Sequence, residues 1–307
     1  MELQPLQDPR ERTHPRYQRQ RLTRAMLSGL RLLAYLPLPV IGMIGYAIGA
    51  LLYALGRGKV VDINLCLCFP EWTDQQRKQV ARRHFMALTR SFMELAVQCW
   101  QPKSRFLNSV RIVDMQHLTD HQGKPVMILM PHFVGINAAA AISEQIPSHA
   151  MYSTNKDAAL DEVLRLARQR YGNPNLISKQ QGLRAIIKAL KTHAPLFYLP
   201  DMDFGARDSV FVPFFGTPAA TITAVSRLAK VSDAKVVPLV IRQLGLNDGY
   251  EARFYPAWEN FPSGDDEADA RRMNAFIEDR VREMPEQYYW VHRRFGTRPP
   301  NSKNLYK

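Results

Sequence analysis

His132 is the residue of this chain whose neighbours best suit it to chemistry. It follows the apolar run 126–130 (VMILM) and Pro131, and the segment MPHFVGINAAAA then passes into small residues. A histidine held at a strand end can take a proton from a hydroxyl, so that the oxygen attacks a carbonyl. This is general-base work, and it needs a partner that orients the ring. A loop histidine also satisfies backbone groups, so His132 alone leaves both roles open. Gly135 permits a close backbone approach, and Asn137 lies five residues on.

A second concentration of chemistry is Asp201 and Asp203, in PDMDFG after the apolar LFYL at 196–199. Paired acids suit a metal or glycosidase site, but no third ligand accompanies them and no metal is expected. The plain reading is a turn, where Asp and Gly are common. A third is Arg165 and Arg168, three apart on one side of an amphipathic segment. Guanidinium groups there suit phosphate; a solvated face with Asp161 paired to Arg165 is the alternative. Arg207 can pair with Asp201 or reach a substrate. Cys66 and Cys68 lack the further ligands of a zinc site, and Cys99 is alone.

These residues need elements to hold them. Residues 74–100 carry apolar positions at helical spacing, with Thr73 or Asp74 to cap the start. Helical patterns recur at 157–171, closed by Gly172 and Pro174, and at 181–193, 222–231 and 266–284. Between them, 126–130, 175–177, 196–199, 210–215 and 236–241 read as strands, and 250–256 as an edge strand. Strand and helix alternate from residue 124 onward. That order predicts an α/β fold, a mostly parallel central sheet flanked by helices, behind a helical N-terminal part. In such folds ligands sit at the carboxyl ends of strands, where His132 and Asp201 fall.

The N-terminal part has its own character. Residues 32–55 (LLAYLPLPVIGMIGYAIGALLYAL) contain no charge, and Pro37 and Pro39 break a straight helix near its start. The run is long enough to cross a bilayer. Arg10, Arg12, Arg16, Arg19, Arg21, Arg24 and Arg31 precede it, and Arg57 and Lys59 follow. With both flanks basic, charge does not decide between crossing and dipping into one leaflet, and a buried core helix is the third reading. The 307 residues hold 41 Lys and Arg against 28 Asp and Glu, a net charge of +13. No zinc-finger spacing, RNP-like strand or zipper accompanies that charge, so nucleic acid is not the expected partner; an anionic membrane surface is. Two parts are expected: a basic, apolar lead over 1–60, and an α/β domain over 61–307.

Taken together, several segments resemble one family. MPHFVGIN is similar to the H-x-x-x-x-(D/E) motif of the glycerolipid and lysophospholipid acyltransferase superfamily. YLPDMDFGARDSVFVPFFG (198–216), ARQRYG (167–172), PEQYYWVHRRF (285–295) and NLCLCFPEW (64–72) resemble its lipid A late acyltransferase branch, the lauroyl and myristoyl transferases of Gram-negative bacteria. The resemblance covers about residues 25–299. It implies an enzyme at the cytoplasmic face of the inner membrane. It implies transfer of a fatty acyl chain from acyl carrier protein to a hydroxyl on a Kdo-bearing lipid A precursor, with no cofactor beyond the acyl donor. His132 would be the base and residue 137 would orient it. Arg168, with Arg165, would bind substrate phosphate, and Asp201, Asp203 and Arg207 would help build the substrate site. The sequence departs from the family at Asn137, where an acid is expected. An Asn oxygen accepts the imidazole N–H but brings no charge, so reduced activity is expected unless Asp201, Asp203 or water compensates. The alternatives are a catalytically impaired paralogue that binds lipid or carrier protein, and an acyltransferase for another glycolipid or lysophospholipid.

Overall fold

The computed structural model describes residues 15–154, 157–178 and 181–307, and of residues 15–22 only the backbone. Arg10 and Arg12 lie outside the described residues, as do the side chains of Arg16, Arg19 and Arg21. The helices are α1 (Pro15–Leu33), α2 (Leu38–Leu52), α3 (Lys59–Cys68), α4 (Asp74–Trp100), α5 (Lys103–Leu107), α6 (Gln116–Thr119), α7 (Ala140–Gln145), α8 (Ala158–Gln169), α9 (Gly182–Leu190), α10 (Ala224–Ser232) and α11 (Asp266–Glu283). The strands are β1 (Val110–Val113), β2 (Val126–Leu129), β3 (His149–Tyr152), β4 (Asn175–Ser178), β5 (Leu196–Tyr198), β6 (Ser209–Phe214), β7 (Thr217–Ile222), β8 (Lys235–Gln243) and β9 (Tyr250–Phe254).

Seven strands form one sheet in the order β1-β9-β8-β2-β5-β3-β4, and only the β8–β9 pairing is antiparallel. The expected mostly parallel sheet is present. β2 and β5 are buried along their whole lengths because alternate residues serve opposite layers. Met127, Leu129, Leu196 and Tyr198 join the core under α9, α10 and α11. Val126, Ile128 and Phe197 join the core on the other face, with Leu118, Ala139 and Ile142. Such continuous apolar runs are what a sheet covered on both faces requires, and each large side chain so buried contributes roughly 1.5–3 kcal/mol.

Two sequence expectations change, and two strands are added. The 250–256 segment is no edge strand: β9 lies between β1 and β8, and β1, whose VRIV mixes a charge with apolar residues, forms that edge. β3 (HAMY), likewise of mixed composition, is the other added strand. The 210–215 run pairs outside the main sheet, in an antiparallel hairpin with β7. The 74–100 helix stands as read, with Thr73 and Gln76 closing a reciprocal capping box.

The apolar lead is broken where the prolines stand. α1 ends at Leu33, and Pro37 caps α2. α2 continues through a widened turn at Tyr53–Arg57, kinked at Gly56, whose φ is 78°. Among the described residues this Leu38–Arg57 stretch is the one helix long and apolar enough to cross a membrane. It does not stand apart from the 61–307 part, for α2 packs along α4.

Candidate active site

The β2–β5 register places His132 and Asp201 side by side. Leu129 pairs with Tyr198, and Met130 donates its N–H to the Tyr198 carbonyl at 3.0 Å. Each strand then runs on through the same pattern, Met130–Pro131–His132 and Leu199–Pro200–Asp201. Three residues past a paired position on each of two parallel strands, the side chains meet. His132 Nδ1 lies 2.6 Å from Asp201 Oδ1, and the His132 backbone N–H donates to Asp201 Oδ2 at 2.9 Å. A carboxylate only accepts, so Nδ1 carries the proton; in the neutral ring that leaves the lone pair on Nε2.

The two side chains differ in access. Asp201 is 1% exposed and His132 22%. Burial alone would raise the Asp201 carboxyl. The His132 ring, the two hydrogen bonds from His132 and the Arg294 guanidinium outweigh it and hold the carboxyl below its ordinary value. Arg294 is itself buried and donates to the Ala220 carbonyl at 2.7 Å, Thr221 Oγ1 at 2.9 Å and Asn274 Oδ1 at 3.3 Å. The arrangement is a partly exposed imidazole backed by a buried, ionised carboxylate, a geometry suited to a general base with an orienting partner.

This corrects the role given to Asn137. The ring nitrogen that an orienting residue would hold is taken by Asp201. Among the described residues the hydrogen bonds include none between Asn137 and His132. Asn137 sits in the short 3₁₀ turn Ile136–Ala139. Its backbone carbonyl accepts from Gln98 Nε2 at 3.4 Å, and it lines a small buried cavity with Glu94, Gln98 and Tyr250. Gly135 is needed just before it, since a Cβ there would come within 2.9 Å of Ile241 and 3.0 Å of Tyr250.

The other expected residues are spread around this end of the sheet. Arg168 stacks over the Tyr152 ring, 5.5 Å from its centroid. Tyr152 closes β3, whose register with β5 (Ala150 with Phe197) puts it at the same carboxyl edge as His132. Burial lowers the Arg168 guanidinium somewhat, against the pull of Tyr152 and Asp161. Arg165 donates to Gln169 at 2.6 Å. Asp203 is a brace. It accepts from the Thr297 N–H at 2.5 Å and from the Gly205 N–H at 2.9 Å, while its own N–H donates to His292 Nε2 at 2.8 Å. Burial pushes the His292 imidazole down, consistent with a neutral ring that accepts there. Arg207 is 95% exposed and 3.6 Å from Asp208; its expected pairing with Asp201 is not formed.

The segment over 285–297 gives the site its floor. Tyr289 donates its N–H to the His132 carbonyl at 3.0 Å, and its ring lies 6.2 Å from the imidazole. Tyr288 packs on Phe133 and Phe214. Asn64 ties α3 beneath it, donating to the Trp290 and His292 carbonyls at 2.7 and 2.8 Å. Trp290 and Phe295 are fully buried. The aromatic and basic cluster is therefore packed core with Arg293 outside, and Phe214 of the VFVPFF run is core as well.

Comparison with known proteins places this geometry. A sequence model of the family described as bacterial lipid A biosynthesis acyltransferase matches residues 9–297. The chain belongs to that family. It is 35% identical over 299 residues to the lipid A biosynthesis lauroyltransferase of Escherichia coli K12, covering 95% of this chain and 96% of that protein. It is 31% identical to the myristoyltransferase of the same strain, over 96% and 92% of the two chains, and 30% identical to its palmitoleoyltransferase, over 97% of each. The protein is thus an acyltransferase of lipid A biosynthesis, and His132 with Asp201 is its candidate acid–base pair.

Proposed function

We propose that the chain moves a fatty acyl group from an acyl carrier protein thioester to a hydroxyl of a Kdo-bearing lipid A precursor, at the cytoplasmic face of the inner membrane. The observation that carries this reading is the His132–Asp201 pair, buried on its acid side and open on its base side. Nε2 of His132 takes the proton of the acceptor hydroxyl, and the oxygen attacks the thioester carbonyl. The tetrahedral intermediate then expels the carrier thiolate, which takes the proton back from the imidazolium. Asp201 stabilises that imidazolium and fixes its tautomer. The thioester is itself activated, so no cofactor is required.

Arg168, with Arg165 on the same helix, is the proposed cation pair for precursor phosphate. Asp203 shapes the substrate side through its hold on the 292–297 segment, and Arg207 is exposed and available to substrate or to the acidic carrier. Anionic membrane lipid is the proposed surface partner. Because Asp201 supplies the charge that Asn137 lacks, the substitution at 137 need not impair turnover, and the reading as an inactive binding paralogue loses its motive.

The test is transfer by purified full-length protein in detergent, with acyl carrier proteins loaded with different chains and with either Kdo-bearing precursor or lysophospholipid as acceptor. Transfer to the first acceptor, abolished in His132→Ala, is expected. Transfer to lysophospholipid alone would overturn the substrate assignment, and unchanged transfer in His132→Ala the mechanism.

A further inference from the structure

The two faces of α2 differ so completely that they fix how the protein meets a membrane. One face is glycine. Gly42, Gly45 and Gly49 are buried against α4. A Cβ on Gly45 would lie 2.5 Å from the Arg90 Cα, and one on Gly49 would lie 2.3 Å from the Phe85 carbonyl oxygen. Backbone meets backbone here, and side chains then pin the contact. Thr89 Oγ1 donates to the Gly45 carbonyl at 2.6 Å, and Arg90 reaches past it to the Tyr46 hydroxyl at 3.1 Å. The same guanidinium donates to the Leu244 and Gly245 carbonyls, at 2.7 and 3.0 Å, and pairs with Glu94 at 2.7 Å.

The other face is greasy and uncovered. Met43, Ala47, Leu51 and Leu55 recur every four residues opposite the glycines and are exposed, Met43 at 51%, Leu51 at 59% and Leu55 at 67%. Leu32 (74%) and Tyr35 (69%) are also exposed, at the end of α1 and in the turn after it. Six of the nine large hydrophobic residues exposed among the described residues fall within 26–55. An apolar surface of that kind marks a binding face. Cations rim it: Arg31, Arg57 and Lys59 are exposed at its two ends. Lys59, Lys78 and Lys307 line an open cleft of about 750 Å³ at the far end of α2.

We propose that α2 lies in the plane of one leaflet of an anionic membrane, its glycine face fixed to α4 and its Met43–Leu55 face in the acyl chains, and that it does not cross the bilayer. To cross, α2 would have to leave α4, exposing the glycine backbone and stripping Arg90 of the Tyr46 hydroxyl. If it instead crossed with α4 attached, it would carry the Arg90–Glu94 pair and the 244–245 loop into hydrocarbon. The charged rim sits where phosphate headgroups would meet a helix lying flat. This inference rests on the membrane-facing acyltransferase reading and adds its geometry.

The test measures depth. Met43→Cys and Leu55→Cys, each in a full-length chain with Cys66, Cys68 and Cys99 replaced, are labelled with a fluorophore. They are then bound to phosphatidylglycerol–phosphatidylethanolamine vesicles carrying spin-labelled lipids of known depth. The two sites are about 18 Å apart along a helix. In-plane insertion gives both labels the same shallow depth. A depth difference approaching 18 Å overturns the proposal while leaving the acyltransferase reading intact. The unmodified chain gives a second readout: trypsin added outside sealed vesicles should cut at both Arg31 and Arg57, whereas protection of Arg31 alone overturns the in-plane arrangement. A chain that ignores vesicles and elutes as a dimer would assign the face to a second copy, and overturns both the proposal and the membrane reading.

Discussion

Two buried acids in this molecule are each paired with a base, and they do opposite things. Asp201 is 1% exposed beneath a His132 that is 22% exposed. Glu94 is 3% exposed beneath an Arg90 that is 0% exposed. Arg90 cannot give up its proton, and its donors are spent on Glu94, Tyr46 and two carbonyls. Glu94 is held from its other side by the Tyr250 hydroxyl, and burial pushes its carboxyl up. The His132 ring commits one nitrogen, Nδ1, to its acid, and the side chain stays 22% exposed. A buried pair becomes reactive when one partner is titratable and has an unused atom facing outward; closed on every side, the same chemistry is a fastener.

The largest test of that contrast is Asp201→Asn. An amide can hold the wrong tautomer, as in serine proteases, where the exchange costs about 10⁴. Transfer should fall about 10³–10⁴-fold with an unchanged circular dichroism spectrum; a loss below tenfold would mean the carboxylate is not what makes His132 a base. Glu94→Ala should act the other way round. It leaves Arg90 buried without its partner, which costs about 3–5 kcal/mol, read as a lower urea midpoint, while the folded fraction keeps its turnover. Loss of turnover at full stability would erase the distinction between the two pairs.

The closed region also makes a pH prediction. His84, on α4, is fully buried, its Nδ1 3.0 Å from the Glu286 carbonyl and its Nε2 without a partner. Burial lowers its imidazole to about 4. Between pH 6.5 and about 4 the unfolded chain therefore binds a proton that the folded chain refuses. Stability is full above 6.5 and falls as pH drops, by about 3 kcal/mol for this group. Urea unfolding should show that slope, and His84→Asn should lose it while keeping a donor for Glu286. The smallest effect is expected at Asn137→Asp, with transfer changed by no more than about twofold to threefold. A rise of a hundredfold would return the orienting role to position 137.

Much of the fold was legible because long elements repeat their pattern. The 27-residue α4 shows several turns of periodicity and a cap, and β2, β5 and the middle of β8 (Val236–Ile241) are apolar because both faces of the sheet are covered. β1 (VRIV) and β3 (HAMY) are as long as β2 but mix polar with apolar residues and are mostly half-buried, so neither stands out as an apolar run, and the interior position of β9 depends on β1. The site was legible in its parts. His132 and Asp201 stood out as polar residues after apolar strands, and the matching M-P-H and L-P-D endings were a signal of their pairing. The resemblance to the H-x-x-x-x-(D/E) motif pointed to Asn137, five residues away, and not to Asp201, sixty-nine away.

The sequence by itself determined the family, the layered α/β character and the apolar helix with its cationic flanks, and it singled out the histidine proposed as the base. Those follow from residue type and local period, which the chain carries without help. Only the tertiary structure decided which acid serves His132, because strand pairing, and not separation along the chain, sets which residues meet. It likewise decided that the 285–297 aromatics are floor and not surface, and that one side of α2 is already taken by α4. Composition cannot tell a glycine that lets a helix bend from one that lets two helices touch; that difference exists only once the neighbour is in place.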